Sequence, residues 1–350
     1  MSTQQALILP SSKAPFFVGP RPFPVPGKGE VRLKIVSVGL NPMNVTQHDL
    51  GVFIPEYPAV IGADLAGVVD EVGEGVEGFA MGDEVLAQVM NGGFQQYTTL
   101  PAATLIRKPK NMSFDEAATF PVTFATACVG LFAPAPIGLA LNPTFSWDKP
   151  QHGESGLVIG AGTSTGQFAV QLLKFLGFTR IVAYASKVHF EYLKVLGATE
   201  CIDRGEVPLE KLVVTPAVKV AYDATFPGAL DAAYDSVVDG GKVTTTRPFA
   251  QTERESRGIT LVKCFGFYAG PDVMAPIGDP ARYPAKVEHT VFGKSLIAEL
   301  PKMMEKGAIV ANRVEIVPNG LAGIPEALEK MKAGGVSGVK LVAHPHESAA

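Results

Sequence analysis

One stretch of this chain has residue types and spacing suited to chemistry: Gly156-Leu-Val-Ile-Gly160-Ala-Gly162-Thr163-Ser164-Thr165-Gly166-Gln167-Phe-Ala-Val-Gln-Leu-Leu-Lys-Phe-Leu-Gly177. An apolar strand enters a glycine-rich turn, and the turn opens an amphipathic helix. The first backbone N–H groups of a helix lack partners within it, and they lie at the positive end of its dipole, where a pyrophosphate binds. Glycines allow the tight turn and the close approach of phosphate to backbone. A second apolar strand, Ile181-Val-Ala-Tyr184-Ala185, follows at the distance a βαβ unit requires. Gly160, Gly162, Thr163, Ser164, Thr165, Gly166 and Gln167 are therefore read as a dinucleotide site. An NAD site usually places Asp or Glu at the end of that second strand, against the ribose 2′-hydroxyl. Here the residues are Ser186 and Lys187. A hydroxyl and an ammonium suit a 2′-phosphate, so the expected cofactor is NADPH. The plainer reading makes Lys187 a solvated residue of the next helix.

The elements around this unit fall into two kinds. The first hundred residues read as short strands and turns, not helices: Val31–Val38 alternates polar and apolar, and Asp64–Val72 and Phe94–Leu100 look similar. Pro24–Gly27 and Glu74–Gly78 mark turns. This half is expected to form a small β-barrel. Ser113 with Glu116 three residues on makes a capping-box pattern ahead of an apolar helix. After a proline-rich loop (133–151), strand and helix signals alternate: the βαβ unit, then helix near 187–196, strand 219–222, helix near 227–238, strands 241–246 and 261–267. Such alternation implies a doubly wound parallel sheet. A helix near 285–306, residues 313–317, a helix near 321–332 and a strand at 340–343 are expected to return to the barrel. The tail His344-Pro-His346 is expected to be frayed.

At 350 residues the chain has room for two cores. Its 18% charged residues and net charge of -4 give no basic footprint, so no nucleic-acid partner is expected. Cys128, Cys201 and Cys264 are far apart and form no CxxC pair, which fits reduced thiols and a cytoplasmic location. The uncharged run from Ala117 to Trp147 contains Pro121, Pro134, Pro136 and Pro143, which argues against a membrane span.

Further segments carry a family resemblance: Gly39-Leu-Asn41-Pro42-Met-Asn44, Tyr57-Pro58-Ala-Val-Ile-Gly62-Ala-Asp64-Leu-Ala-Gly67-Val, Gly82-Asp83-Glu-Val, Gly92-Gly93-Phe and Ala117-Ala-Thr-Phe-Pro121-Val-Thr123-Phe-Ala-Thr126-Ala. With the glycine turn, these make the chain resemble the medium-chain dehydrogenase/reductases over nearly its whole length. Within that superfamily it is similar to zinc-independent quinone and enoyl reductases, most of all the fungal trans-acting enoyl reductases that partner polyketide synthases. The resemblance implies an α/β fold in two parts. A discontinuous GroES-like catalytic domain (1–127 and 285–350) would be split around a Rossmann NADPH-binding domain (128–284), with the active site between them.

Zinc members carry Cys just after the glycine, where this chain has Leu40-Asn41, and Gly-His-Glu where it has Gly62-Ala63-Asp64, so no metal is expected. Without a Lewis acid, the expected reaction is hydride addition to the β-carbon of an α,β-unsaturated carbonyl, followed by protonation of the enolate. Quinone reduction and a catalytically inactive NADPH-binding protein are the alternatives. Candidate catalytic residues are Asn44 (a hydrogen-bond donor that cannot act as an acid), Tyr57 (or a packed loop aromatic) and Thr123, with Thr126 beside it. A tyrosine found in some relatives is replaced by Phe53; water or a ribose hydroxyl can then supply the proton. Pro42 is placed under the nicotinamide. Phe265 and Gly266 are placed on the far wall of the pocket with Phe267 and Tyr268, where aromatics favour an apolar or aryl conjugated carbonyl substrate or form a dimer edge. A monomer or homodimer is expected.

Overall fold

The computed structural model describes residues 3–225, 228–247, 249–264, 266 and 287–347. It opens with the hairpin β1 (Thr3–Ile8) and β2 (Phe17–Pro22), then the alternating strand β3 (Glu30–Gly39). Helix α1 (Pro42–Leu50) follows, a departure from the all-strand reading of this half. Its signals are local: Asn41 is the N-cap, Pro42 fills the first helical position, where no N–H is needed, and Gly51 takes the left-handed conformation at the end. Next come β4 (Asp64–Val72), β5 (Glu84–Gln88), β6 (Tyr97–Pro101) and β7 (Ile106–Arg107).

The capping box forms as expected. The Glu116 N–H donates to Ser113 Oγ, and the Ser113 N–H donates to Glu116 Oε2 at 2.8 Å. It starts only a four-residue helix, α2 (Phe114–Ala117), because the chain restarts at Pro121 as α3 (Pro121–Phe132). The boundary expected at 127/128 falls inside α3, which runs through it.

Strands and helices then alternate: β8 (Ser155–Ile159), α4 (Ser164–Leu176), β9 (Arg180–Ala185), α5 (Phe190–Leu196), β10 (Glu200–Asp203), β11 (Val218–Asp223), α6 (Leu230–Ser236), β12 (Val237–Thr245) and β13 (Thr260–Lys263). All six strands are parallel, in the order β10-β9-β8-β11-β12-β13. This order reverses beside β8, and ligands bind at such a switch point, beyond the carboxyl ends of the strands. Helix α7 (Val287–Glu305), β14 (Val314–Ile316), α8 (Gly320–Lys332) and β15 (Lys340–Ala343) complete the chain. The last strands return to the N-terminal half, β15 pairing antiparallel with β3 and parallel with β14. The resulting seven-stranded sheet also holds β4, β5, β6 and β7.

Three apolar cores stabilise this arrangement. One, around Leu33, Ile35, Leu65 and Phe94, fills the N-terminal half. The other two cover opposite faces of the parallel sheet. Phe120, Phe124 and Phe168 meet in tilted and edge-on contacts where α3 crosses α4, and Phe292, Leu296 and Leu300 of α7 join that same core. That core also takes in Ala66, Leu86 and Ile106 of the N-terminal half, so α7 packs against both halves. The tail is held rather than frayed: His344 Nε2 lies 2.8 Å from Asp115 Oδ1, and His346 sits edge-on to Tyr97.

Candidate active site

The glycine turn has the geometry its sequence implies. Gly160 has φ +75°, and a side chain there would lie 2.7 Å from Thr225 Cγ2. At Gly166 a Cβ would press into the Gly160 carbonyl and stand 2.8 Å from Ala161 Cα, so only glycine lets α4 start this close to the turn. The Gly166 N–H donates to Thr163 Oγ1 at 3.0 Å, and the Thr163 N–H donates back to Gly160 O at 2.9 Å. The N–H groups of Ser164 and Thr165, the first two residues of α4, are then left for a ligand. A cradle closed to any Cβ beneath unpaired donors fits a pyrophosphate.

Gln167 takes a different role from the one expected. It is fully buried, its Nε2 donates to Gly162 O at 3.0 Å, and its Oε1 accepts from Asn312 Nδ2 at 2.9 Å. It braces the turn from behind. Asn312, which no local pattern singles out, extends the brace: its backbone N–H donates to Thr119 Oγ1 and its side chain to Ser164 O.

At the end of β9, Ser186 is half-buried and Lys187 projects into solvent. Lys187 Nζ sits 3.8 Å from Glu206 Oε1, both groups being more than 70% exposed. Parallel pairing sets Asp203 of β10 beside Ala185. The carboxylates that β9 lacks therefore arrive from β10 and the turn after it, which an inspection of β9 alone does not reveal. His189, also buried here, lies 2.8 Å through Nε2 from Ser337 Oγ and 3.2 Å through Nδ1 from Arg313 Nη2. Burial first, then the charges of Arg313 and Arg204, hold its pKa below the usual imidazole value.

The expected catalytic residues are not gathered around one open point. Asn44 is fully buried; its Oδ1 accepts from the Asn41 N–H at 2.8 Å and its Nδ2 donates to Gln47 Oε1 at 3.0 Å. It caps α1 rather than presenting a donor to solvent. Thr123 is 5% exposed and gives its hydroxyl to Thr119 O at 2.6 Å, the ordinary behaviour of a buried helical threonine. Tyr57 is 36% exposed, in the loop beyond Gly51. The half-buried face of α3 is instead Val122 and Thr126, one turn apart. Gly266 packs on it, its Cα direction pointing at Thr126 so that a Cβ would come 2.6 Å from Thr126 Cα. Gln88 of β5 crosses between the two halves to donate to Gly266 O at 2.8 Å. Phe265, Phe267 and Tyr268 lie outside the described residues. Pro42 is exposed at the start of α1, beside a buried cluster.

That cluster occupies the positions of the zinc-ligand comparison. Asp64, fully buried, accepts from Asn41 Nδ2 at 2.8 Å, from Lys340 Nζ at 2.7 Å and from the Val122 N–H at 2.6 Å. Lys340 Nζ also donates to Asn41 Oδ1 at 2.6 Å. These oxygens already hold an ammonium, and the softer donors a zinc site draws on are lacking at Asn41 and Ala63. Among the described residues, no three His, Cys, Asp or Glu side chains converge. His48 points elsewhere, stacked on Phe16 and 2.8 Å from Asp49.

Comparison with known proteins places this geometry. Residues 27–110 match the alcohol dehydrogenase GroES-like domain. The chain is 32% identical over 361 residues to trans-enoyl reductase tndF of Aspergillus flavipes, covering 97% of this chain and 98% of that one. It is 36% identical over 260 residues to trans-enoyl reductase tazE of Aspergillus terreus, covering 70% of this chain and 84% of that one. Among solved structures, the CurK enoyl reductase superposes with a TM-score of 0.73 at 23% identity, covering 98% and 99% of the two chains. The last likeness speaks to fold: a GroES-like half and a Rossmann half.

Proposed function

The chain belongs to the medium-chain dehydrogenase/reductase superfamily, alongside the fungal trans-enoyl reductases, and we propose that it reduces the activated C=C bond of an α,β-unsaturated carbonyl with NADPH and without a metal. The observation that carries this reading is the Asn41–Asp64–Lys340 cluster standing in place of a metal-ligand set in a chain that also holds a dinucleotide cradle at 160–166. Residues 160–166 would hold the pyrophosphate, and Ser186 with Lys187 the 2′-phosphate, the Lys187 ammonium turning to it from Glu206 and offsetting the nearby carboxylates of Asp203 and Glu206. Bound there, the reduced nicotinamide supplies the hydride.

The chain's own residues then have to orient, desolvate and protonate. Val122, Thr126 and Gly266 form the wall against which a flat ring packs, and the Gln88 bond fixes that wall relative to β5. Holding the alkene against it supplies much of the rate enhancement by orientation alone. An enolate is already resonance-stabilised, so a few hydrogen bonds at its oxygen suffice. Asn44 and Thr123 engage their polar side chains internally, so water or the cofactor ribose supplies the α-proton in this reading. The substrate class is an enoyl thioester or enone with an apolar or aryl tail, delivered by a polyketide synthase acting as partner.

A panel assay following NADPH absorbance with an enone, an enoyl thioester, a quinone and an aldehyde tests the reading. Turnover of the first two is expected. Turnover of the quinone alone would make the protein a quinone oxidoreductase, turnover of the aldehyde alone would overturn alkene reduction, and no turnover would leave a binding protein. Tyr57→Phe is expected to keep at least half of the native rate; a loss beyond about tenfold would make its phenol the acid.

A further inference from the structure

The Lys340 ammonium is 3% exposed in its side chain and is bound to Asp64, which is fully buried. A buried ion pair costs several kcal/mol per ion to desolvate and is weak support for stability in itself. Its position suggests another use. Asp64 on β4 grips three elements: α1 through Asn41, α3 through the Val122 N–H at its positive end, and β15 through Lys340. Val122 and Thr126, one turn apart, form the half-buried face of α3, with Gly266 against Thr126. Asn41 begins the turn that sets Pro42. Room for the lysine is made by Gly39, where a Cβ would stand 2.9 Å from Lys340 Cε. From Asn41 the hydrogen bonds run on through Asn44 and Gln47 to Asn91, and from Asn91 Nδ2 to the carbonyl of Phe53.

We infer that Lys340 is a positioning residue for the reduction: its ammonium locks the Asn41–Pro42 turn and the N-terminus of α3 into one unit, so that both faces meeting the nicotinamide keep a fixed spacing. The inference rests on the reductase reading, but its test does not depend on a substrate being turned over. Lysine supplies what a neutral side chain cannot: two charge-assisted donors, one to Asn41 Oδ1 and one to Asp64 Oδ2, from a single atom.

The test uses the full chain with three changes: Lys340→Met, Lys340→Arg, and the pair Lys340→Met with Asp64→Asn. The pair removes both charges together, so it avoids the unpaired buried carboxylate that threatens folding of the single variant. Two readouts are taken on each: the dissociation constant for NADPH, and the fluorescence of its bound nicotinamide, which reports the ring's surroundings. In the charge-free pair, affinity is expected within about threefold of native, because the cradle at 160–166 is untouched. The nicotinamide emission is expected to fall to that of free cofactor, and kcat, where a substrate has been found, to drop at least tenfold with little change in KM. A pair that keeps native emission overturns the inference while leaving the reductase reading intact. If the native chain binds neither NADPH nor NADH, the reductase reading falls, and this inference with it.

Discussion

Gly166→Ala puts the cofactor cradle to a quantitative test. The added methyl would sit 2.8 Å from Ala161 Cα and closer still to the Gly160 carbonyl oxygen. An ordinary carbon contact is about 3.5 Å, so α4 must back away from the turn by roughly 0.7 Å or more. Overpacking of this kind costs about 1–3 kcal/mol of stability. The same displacement carries the Ser164 and Thr165 N–H groups out of reach of a phosphate and loosens the Thr163–Gly166 cap. Loss of one such charge-assisted bond, about 1.5–3 kcal/mol, predicts an NADPH affinity weakened by roughly 10- to 150-fold. Titration of NADPH fluorescence at a temperature well below the unfolding midpoint separates binding from stability. A folded Gly166→Ala protein with native NADPH affinity would refute the assignment of the phosphates to this turn.

Lys187→Ala is expected to weaken NADPH about tenfold while leaving NADH nearly unchanged; equal losses would mean that the 2′-phosphate is held elsewhere. His189 gives a pH prediction. Its folded pKa lies below the unfolded value of about 6.5, so the unfolded chain takes up more protons as pH falls through that value and the folded state loses stability. Denaturant unfolding at pH 7 and pH 5 should show that loss in the native protein and a smaller one in His189→Gln; equal losses would place the titration elsewhere.

Much of the architecture could be read locally. The βαβ unit, the capping box at Ser113 and the alternation after residue 187 depend on neighbours in sequence, and each appears where its pattern lies. Helix α1 was readable in principle from Asn41, Pro42 and Gly51, but short polar helices have too little apolar periodicity to compete with the strand pattern around them. Strand β10 was missed for the same reason, being four residues with no alternation. Within the candidate site, the turn geometry was legible where backbone makes it, at Gly160 and Gly166. The contacts that side chains make were not legible: Gln88 meets Gly266 across 178 residues, and Lys340 meets Asp64 across 276. No local pattern encodes such pairs. Asn44 and Thr123 were plausible as isolated polar residues, and only their burial shows that their hydrogen bonds are already made.

Following one deuterium separates metal-free reduction of a C=C bond from metal-assisted reduction of a carbonyl. NADPH carrying deuterium at C4, in turn on each face, is supplied with an α,β-unsaturated thioester to protein treated with a strong chelator and verified free of zinc. Label from one face only is expected to reach the β-carbon of the saturated product, at a rate unchanged by chelation. Label at the carbonyl carbon, or activity that vanishes on chelation and returns with zinc, would contradict it.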